Sequence, residues 1–145
     1  ALPSKEQDPL NIVVPIEAAA KSGNEDAAIN PQHIDYLNSI GGQDFVASMF
    51  DGFLEDSLES NASMAKAVDQ RDPSLFRFAA HAFKSAANNI GANQLSSLCG
   101  RLEKITEAEF NEKGRIYLVQ VERELDRVKA ELGEIAAVER RSGAA

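Results

Sequence analysis

The sequence predicts an all-α protein, an antiparallel up-down four-helix bundle with a short extra helix at its N-terminal side. From residue 31 onward the apolar residues recur at helical spacing, and no stretch alternates apolar and polar residues as a strand does. The interruptions between apolar segments are short, which favours antiparallel neighbours. The 145 residues are enough for one hydrophobic core and too few for two comfortable domains.

Residues 1–30 contain three of the five prolines and are predicted to form a linker or N-terminal arm. Their apolar run, Ile12 to Val14, would allow this arm to dock on the bundle. A short helix is predicted over residues 31–40, ending at Gly41 and Gly42. A longer second helix is predicted over 43–69. Its candidate core residues are Phe45, Met49, Phe53, Leu58, Met64 and Val68.

The third helix is predicted over residues 73–90, because Asp72 can cap it and Pro73 suits its first turn. Gly91 separates it from a fourth helix over 92–107. The last helix is predicted over 111–140, with a later portion rich in charge. The bundle is thereby assigned to residues 31–141, and residues 142–145 to a flexible tail.

Composition narrows the classes of function. Hydrophobic residues make up 43% and charged residues 26%, as in soluble globular proteins. A net charge of −8 argues against nucleic acid as a partner, because phosphate-backbone binding needs clustered Lys and Arg. No apolar stretch approaches the roughly 20 residues of a membrane span, so no direct membrane contact is expected. The lone cysteine, Cys99, cannot form an internal disulfide, which fits a reducing, cytoplasmic setting. Because Cys99 shares the apolar side of its helix with Leu95 and Leu102, its side chain is predicted to be buried and to pack as a small hydrophobic residue.

The third helix carries one histidine on its outer face. At about 100° per residue, His81 falls about 160° from Phe83, at the centre of the predicted buried face. Phe78 lies within about 60° of His81, where it forms either a docking surface or a contact with the N-terminal arm or first helix. The predicted buried face comprises Phe76, Ala79, Ala80, Phe83, Ala86, Ala87 and Ile90. The polar neighbours of His81 are Arg77, Lys84, Ser85 and Asn88.

Residues 81–91, HAFKSAANNIG, resemble the signature of histidine-containing phosphotransfer (HPt) domains. That signature is His-x-x-Lys-Gly/Ser, followed six residues later by Gly. Many members have Gly where this chain has Ser85, and the hydroxyl there would alter how a partner approaches. The similarity continues into the family's next helix at Ala92, Leu95, Cys99, Leu102 and Glu103.

The resemblance implies a phosphorelay carrier. His81 would accept a phosphoryl group from a receiver-domain aspartate and pass it to another receiver, with Lys84 stabilising the phosphate. Gly91 would serve close packing or helix termination, Ser85 and Asn88 would support the surface, and Arg77 and Phe78 are docking candidates. No cofactor is expected in this domain, since Mg²⁺ belongs to the partner receiver. Similar domains often form the C-terminal module of hybrid sensor kinases, and in isolation a monomer is expected.

Three other interpretations stay open. The main alternative is a phosphate-independent interaction module that regulates a partner by binding alone. A metal or redox bundle is disfavoured because the Glu-x-x-His pairs of such sites are absent. Independent enzymatic activity is not expected, because there is no Gly-rich phosphate loop and no nucleophile, base and oxyanion constellation. The other histidine, His33, is assigned a structural or incidental role.

Overall fold

The computed structural model describes the backbone of residues 27–144 and the side chains of residues 27–138. Within that range four helices occur, and no strand is present. The predicted all-α bundle is confirmed. The helices are α1 (Pro31–Gln70), α2 (Pro73–Ile90), α3 (Asn93–Leu102) and α4 (Glu107–Ala144).

A kink at Gly42 divides α1 into a short and a long segment. Gly42 has φ 78° and ψ −172°, a backbone conformation that glycine adopts readily and other residues avoid. The predicted break is therefore present, although the two segments join without a loop. The helix starts after Asn30, whose side chain accepts a hydrogen bond from the Gln32 N–H at 3.0 Å.

The helix α2, predicted as the third helix over residues 73–90, has the predicted bounds. Asp72 caps it by accepting a hydrogen bond from the Leu75 N–H at 3.1 Å, and Pro73 occupies the first turn. Gly91 ends it in the left-handed conformation, with φ 76°. The seven residues predicted to be buried are the seven that are buried. Because this register is correct, the opposite face of α2 lies in solvent.

The predicted bounds of the last two helices were wrong. The fourth predicted helix reaches only Leu102 and not residue 107, whereas α4 begins at Glu107, four residues before its predicted start at residue 111. Thr106 caps α4, since its Oγ1 accepts from the Glu109 N–H at 3.1 Å. Thr106 and Glu109 have the spacing of a capping box, a sequence signal for this boundary. At the other end, α4 continues past the predicted residue 140 to Ala144.

The core lies between the four helices, and one predicted core residue in α1 is misplaced. Phe53 and Met64 are buried as predicted, and Phe45, Met49 and Val68 pack partly buried against the core. Leu58 is 67% exposed, so that prediction was wrong. Ser57 and Ser60 occupy the buried register instead, and Ser57 Oγ donates to the Leu54 carbonyl at 3.2 Å.

The packed unit begins before α1. Ala28 and Ile29 are buried, and their N–H groups donate to the two carboxylate oxygens of Glu131 at 2.7 and 2.9 Å. The last residues of the predicted arm are thus part of the bundle. The apolar run at residues 12–14 lies outside the described residues. None of the described helices is long and apolar enough to cross a membrane.

Candidate functional site

The outer face of α2 presents His81 to solvent. Its side chain is 65% exposed, whereas Ala80, the preceding residue, is fully buried. The backbone that carries it is the middle of an 18-residue helix fixed at both ends by its caps. His81 is therefore exposed to solvent, as predicted, and a helix capped at both ends holds its backbone in place.

Glu103, at the C-terminal end of α3, joins His81 to Lys84. Its Oε1 lies 2.6 Å from His81 Nδ1, and its Oε2 lies 2.5 Å from Lys84 Nζ. Lys84 is one helical turn after His81 on the side of α2 that packs against α3, so one carboxylate reaches both. The Glu103 side chain is only 14% exposed, compared with 29% for Lys84.

This arrangement decides which imidazole nitrogen is free. The hydrogen bond from Lys84 is the main cause that lowers the pKa of Glu103, and the hydrogen bond from His81 lowers it further against the opposing effect of burial. The carboxylate is therefore ionised and can only accept hydrogen bonds. Nδ1 of His81 accordingly donates, which leaves the lone pair of the neutral ring on Nε2.

Two other polar neighbours of His81 tie α2 to the region of α3. Arg77 Nη1 donates to the Ile105 carbonyl at 2.9 Å, in the turn between α3 and α4. Asn88 Oδ1 accepts from Ser96 Oγ at 2.5 Å. Arg77 was predicted as a docking candidate, and in the structure its guanidinium forms a hydrogen bond that holds the turn after Glu103.

A groove between α1 and α2 is lined by residues of α2 that neighbour His81 in the helix, although His81 itself does not line it. Phe78, which is 70% exposed, and Ser85 belong to this groove, together with the acidic residues Asp56 and Glu59 of α1. We call it the α1–α2 groove. Its volume is about 290 Å³, and six of its ten lining residues are serine or alanine. The lining residues are Asp56, Glu59, Ser60, Ser63, Phe78, Ala79, Ala82, Ser85, Ala86 and Asn89.

Gly91 and His33 meet at the end of α2, away from His81. Ten residues separate His81 from Gly91, a distance of about 15 Å along a helix. A Cβ on Gly91 would lie 2.7 Å from His33 Cβ, so the two residues pack closely. His33 Nε2 also lies 3.1 Å from the Asn89 carbonyl oxygen. Both residues therefore support the helix end.

The sequence interpretation missed the bridging position of Glu103. The predicted helix over 92–107 gave Glu103 a helical backbone, which it has, but it did not show that Glu103 faces His81 and Lys84 across the packing of α3 on α2. Its place in the resemblance to the HPt signature was the available signal. The two carboxylates of the α1–α2 groove carried no sequence signal, since they are 22 or more residues from His81.

Within the described part of the chain, metal ligands do not cluster and the one cysteine is buried. Among the residues that the structure describes, no group of three or more His, Cys, Asp or Glu side chains is placed to hold a metal ion. Cys99 is fully buried, and burial, with a smaller contribution from Glu103, raises the pKa of its thiol. It is a packing residue, as its sequence position predicts.

Comparison with known proteins places the site inside a recognised domain. A family model described as the Hpt domain matches residues 48–137, a range that includes His81, Lys84 and Glu103. Histidine-containing phosphotransfer protein 2 from Arabidopsis thaliana is 28% identical over 107 residues, which cover 72% of this chain and 69% of that protein. No solved structure gives a significant match.

Proposed function

Since the chain belongs to the Hpt domain family, whose function is phosphorelay signal transduction with receiver domains as partners, we propose that His81 is its phosphoacceptor. The observation that supports this assignment is the 2.6 Å hydrogen bond between His81 Nδ1 and Glu103 Oε1, on a ring that is otherwise exposed to solvent. It leaves a nucleophilic nitrogen facing solvent. Of the two histidines in the chain, the other packs against a helix end.

The proposed acceptance step is a nucleophilic attack by Nε2 on an aspartyl phosphate. The Nε2 lone pair forms a bond to phosphorus while the bond from phosphorus to the aspartate oxygen breaks, and the aspartate leaves as a carboxylate. The positive charge that develops on the ring is stabilised by Glu103 through the Nδ1 proton. Donation to a second receiver is the reverse of this step.

Lys84 is proposed to stabilise the phosphoryl group. Its ammonium lies one turn from His81, and its flexible stem allows it to exchange part of its contact with Glu103 for a phosphoryl oxygen. The carrier itself needs no cofactor. The Mg²⁺ and the acidic pocket that phosphoryl transfer requires would be supplied by the receiver.

The proposed docking surface surrounds His81 on the side of the α1–α2 groove. Phe78 offers exposed apolar area beside the histidine, and Ser85 offers a small side chain that permits close approach. Ser85, Asn88 and Gly91 are assigned supporting roles. The proposed setting is cytoplasmic, with a monomeric carrier that makes no direct membrane contact.

Transfer from a phosphorylated receiver domain tests this assignment. The wild-type chain and the His33→Gln variant are expected to acquire an acid-labile, base-stable label, and His81→Gln is expected to acquire none. Unfolding curves of the variants serve as the control for folding. Label retained by a folded His81→Gln variant would contradict the assignment.

A further inference from the structure

His81 lies between two groups of side chains on the outer face of α2. On a helical wheel, Phe78 and Ser85 fall about 40–60° to one side of it, and both line the α1–α2 groove. Arg77 and Lys84 fall about 40–60° to its other side, where their hydrogen bonds reach residues 105 and 103. The cations that flank the histidine therefore face α3, and the groove lies on the side away from them.

The α1 wall of the groove carries two carboxylates whose charge is not matched by a neighbour. Asp56 and Glu59 are exposed, and neither takes part in the ion pairs formed among the described residues. None of the residues that line the groove is Lys or Arg. Phe78, which is 70% exposed, adds apolar area to the same groove. A surface of this kind is complementary to one that presents cationic and apolar side chains together.

The groove begins within one helical turn of the histidine. Phe78 precedes His81 by three residues and Ser85 follows it by four, spacings that place Cβ atoms about 5–6 Å apart on a helix. A stable protein interface buries about 800 Å² on each partner, an area that extends well beyond one turn. A receiver domain that reaches His81 thus also covers the edge of the groove.

We propose that the α1–α2 groove selects receiver partners by binding a cationic side chain of the receiver, an inference that rests on the proposed function. The partner surface that fits presents Arg or Lys to Asp56 and Glu59, and an apolar side chain to Phe78. The groove volume of about 290 Å³ suits one long side chain. Arginine fits better than lysine, because its five N–H donors can be divided between the two carboxylates and the Ser63 hydroxyl.

A role of these carboxylates in net charge alone makes a different prediction. The chain has a net charge of −8, which by itself acts on any charged partner at long range. In that case, removal of any two exposed carboxylates would change binding equally. A pair of carboxylates on another helix therefore separates the two roles.

The test measures initial rates of transfer to the full chain from the phosphorylated receiver domain that labels wild type at the lowest KM. Asp56→Asn with Glu59→Gln is expected to raise KM by roughly three- to tenfold, the effect of losing two exposed ion pairs. The value of kcat should not change, because His81 is intact. Asp126→Asn with Glu134→Gln removes two exposed carboxylates from α4 and is the matched control, expected to leave KM unchanged.

Ionic strength provides a second measurement. Screening weakens attraction, so the wild-type KM is expected to rise with salt, and to rise less in the variant that lacks both groove carboxylates. With folding verified by unfolding curves, an unchanged KM in that variant, an equal rise in the α4 control, or a wild-type KM independent of salt would overturn the inference. If the wild-type chain accepted no label on His81, the proposed function itself would fail. Labelling of His81 with an unchanged KM in the groove variant would remove only the inference.

Discussion

Alanine at position 91 is expected to destabilise the bundle, because the end of α2 leaves no room for a side chain there. Gly91 has φ 76°, a conformation that costs an L-residue about 1–2 kcal/mol. The added Cβ would also lie 2.7 Å from His33 Cβ. Moving His33 away would weaken its contact with the Asn89 carbonyl, worth about 1 kcal/mol. After the smaller entropy of the unfolded alanine chain is allowed for, the expected loss is about 2 kcal/mol.

Denaturant unfolding followed by circular dichroism measures this loss, and two variants control for it. Gly52→Ala adds a Cβ that meets nothing within 4 Å, in a helix interior, and is expected to stabilise the fold by about 0.5–1 kcal/mol. In a His33→Gly background the His33 Cβ is removed and the collision is absent, so Gly91→Ala should cost only its backbone strain relative to that background. A Gly91→Ala variant as stable as wild type would refute this account of the helix end.

Three further predictions concern stability. The pKa of Glu103 is lowered in the folded chain, so its contribution is present at neutral pH and is lost as pH falls through the acid range; the difference in unfolding free energy between wild type and Glu103→Gln should shrink in acid titrations. Leu58→Ala should change unfolding free energy by less than about 0.5 kcal/mol, whereas Met64→Ala, at a fully buried position, should cost about 2–5 kcal/mol. Equal losses would contradict the observed register of α1. Thr106→Ala should cost about 1 kcal/mol through loss of the α4 cap, and a neutral result in thermal unfolding would show that the cap contributes little.

The parts of the fold that follow from local chemistry could be predicted from the sequence. The bounds of α2 depend on Asp72, Pro73 and Gly91, each of which acts on the backbone beside it. Its buried face follows from helical periodicity alone, and so does the exposure of His81. In α1 the same reasoning failed at Leu58, because the packed register places two small serines inside and this leucine outside.

The contacts that complete the candidate site could not be predicted in this way. Glu103 reaches His81 because α3 packs beside α2 and places its C-terminal end next to His81 and Lys84. Arg77 helps to hold the turn that follows through the Ile105 carbonyl. The α1–α2 groove depends on how two helices pack, which brings Asp56 and Glu59 alongside Phe78. Such juxtapositions depend on tertiary packing, which periodicity along one helix does not specify.

The central claim is that the phosphoryl group is carried on Nε2 of His81 while Nδ1 keeps its proton. Nitrogen-15 NMR of the histidine-labelled chain, recorded before and after transfer from a phosphorylated receiver, tests it most directly. The account predicts an Nδ1-protonated ring for His81 at the start, a phosphorus coupling to Nε2 of that ring afterwards, and no change at His33. Phosphorus on Nδ1 of His81, or on either nitrogen of His33, would contradict it.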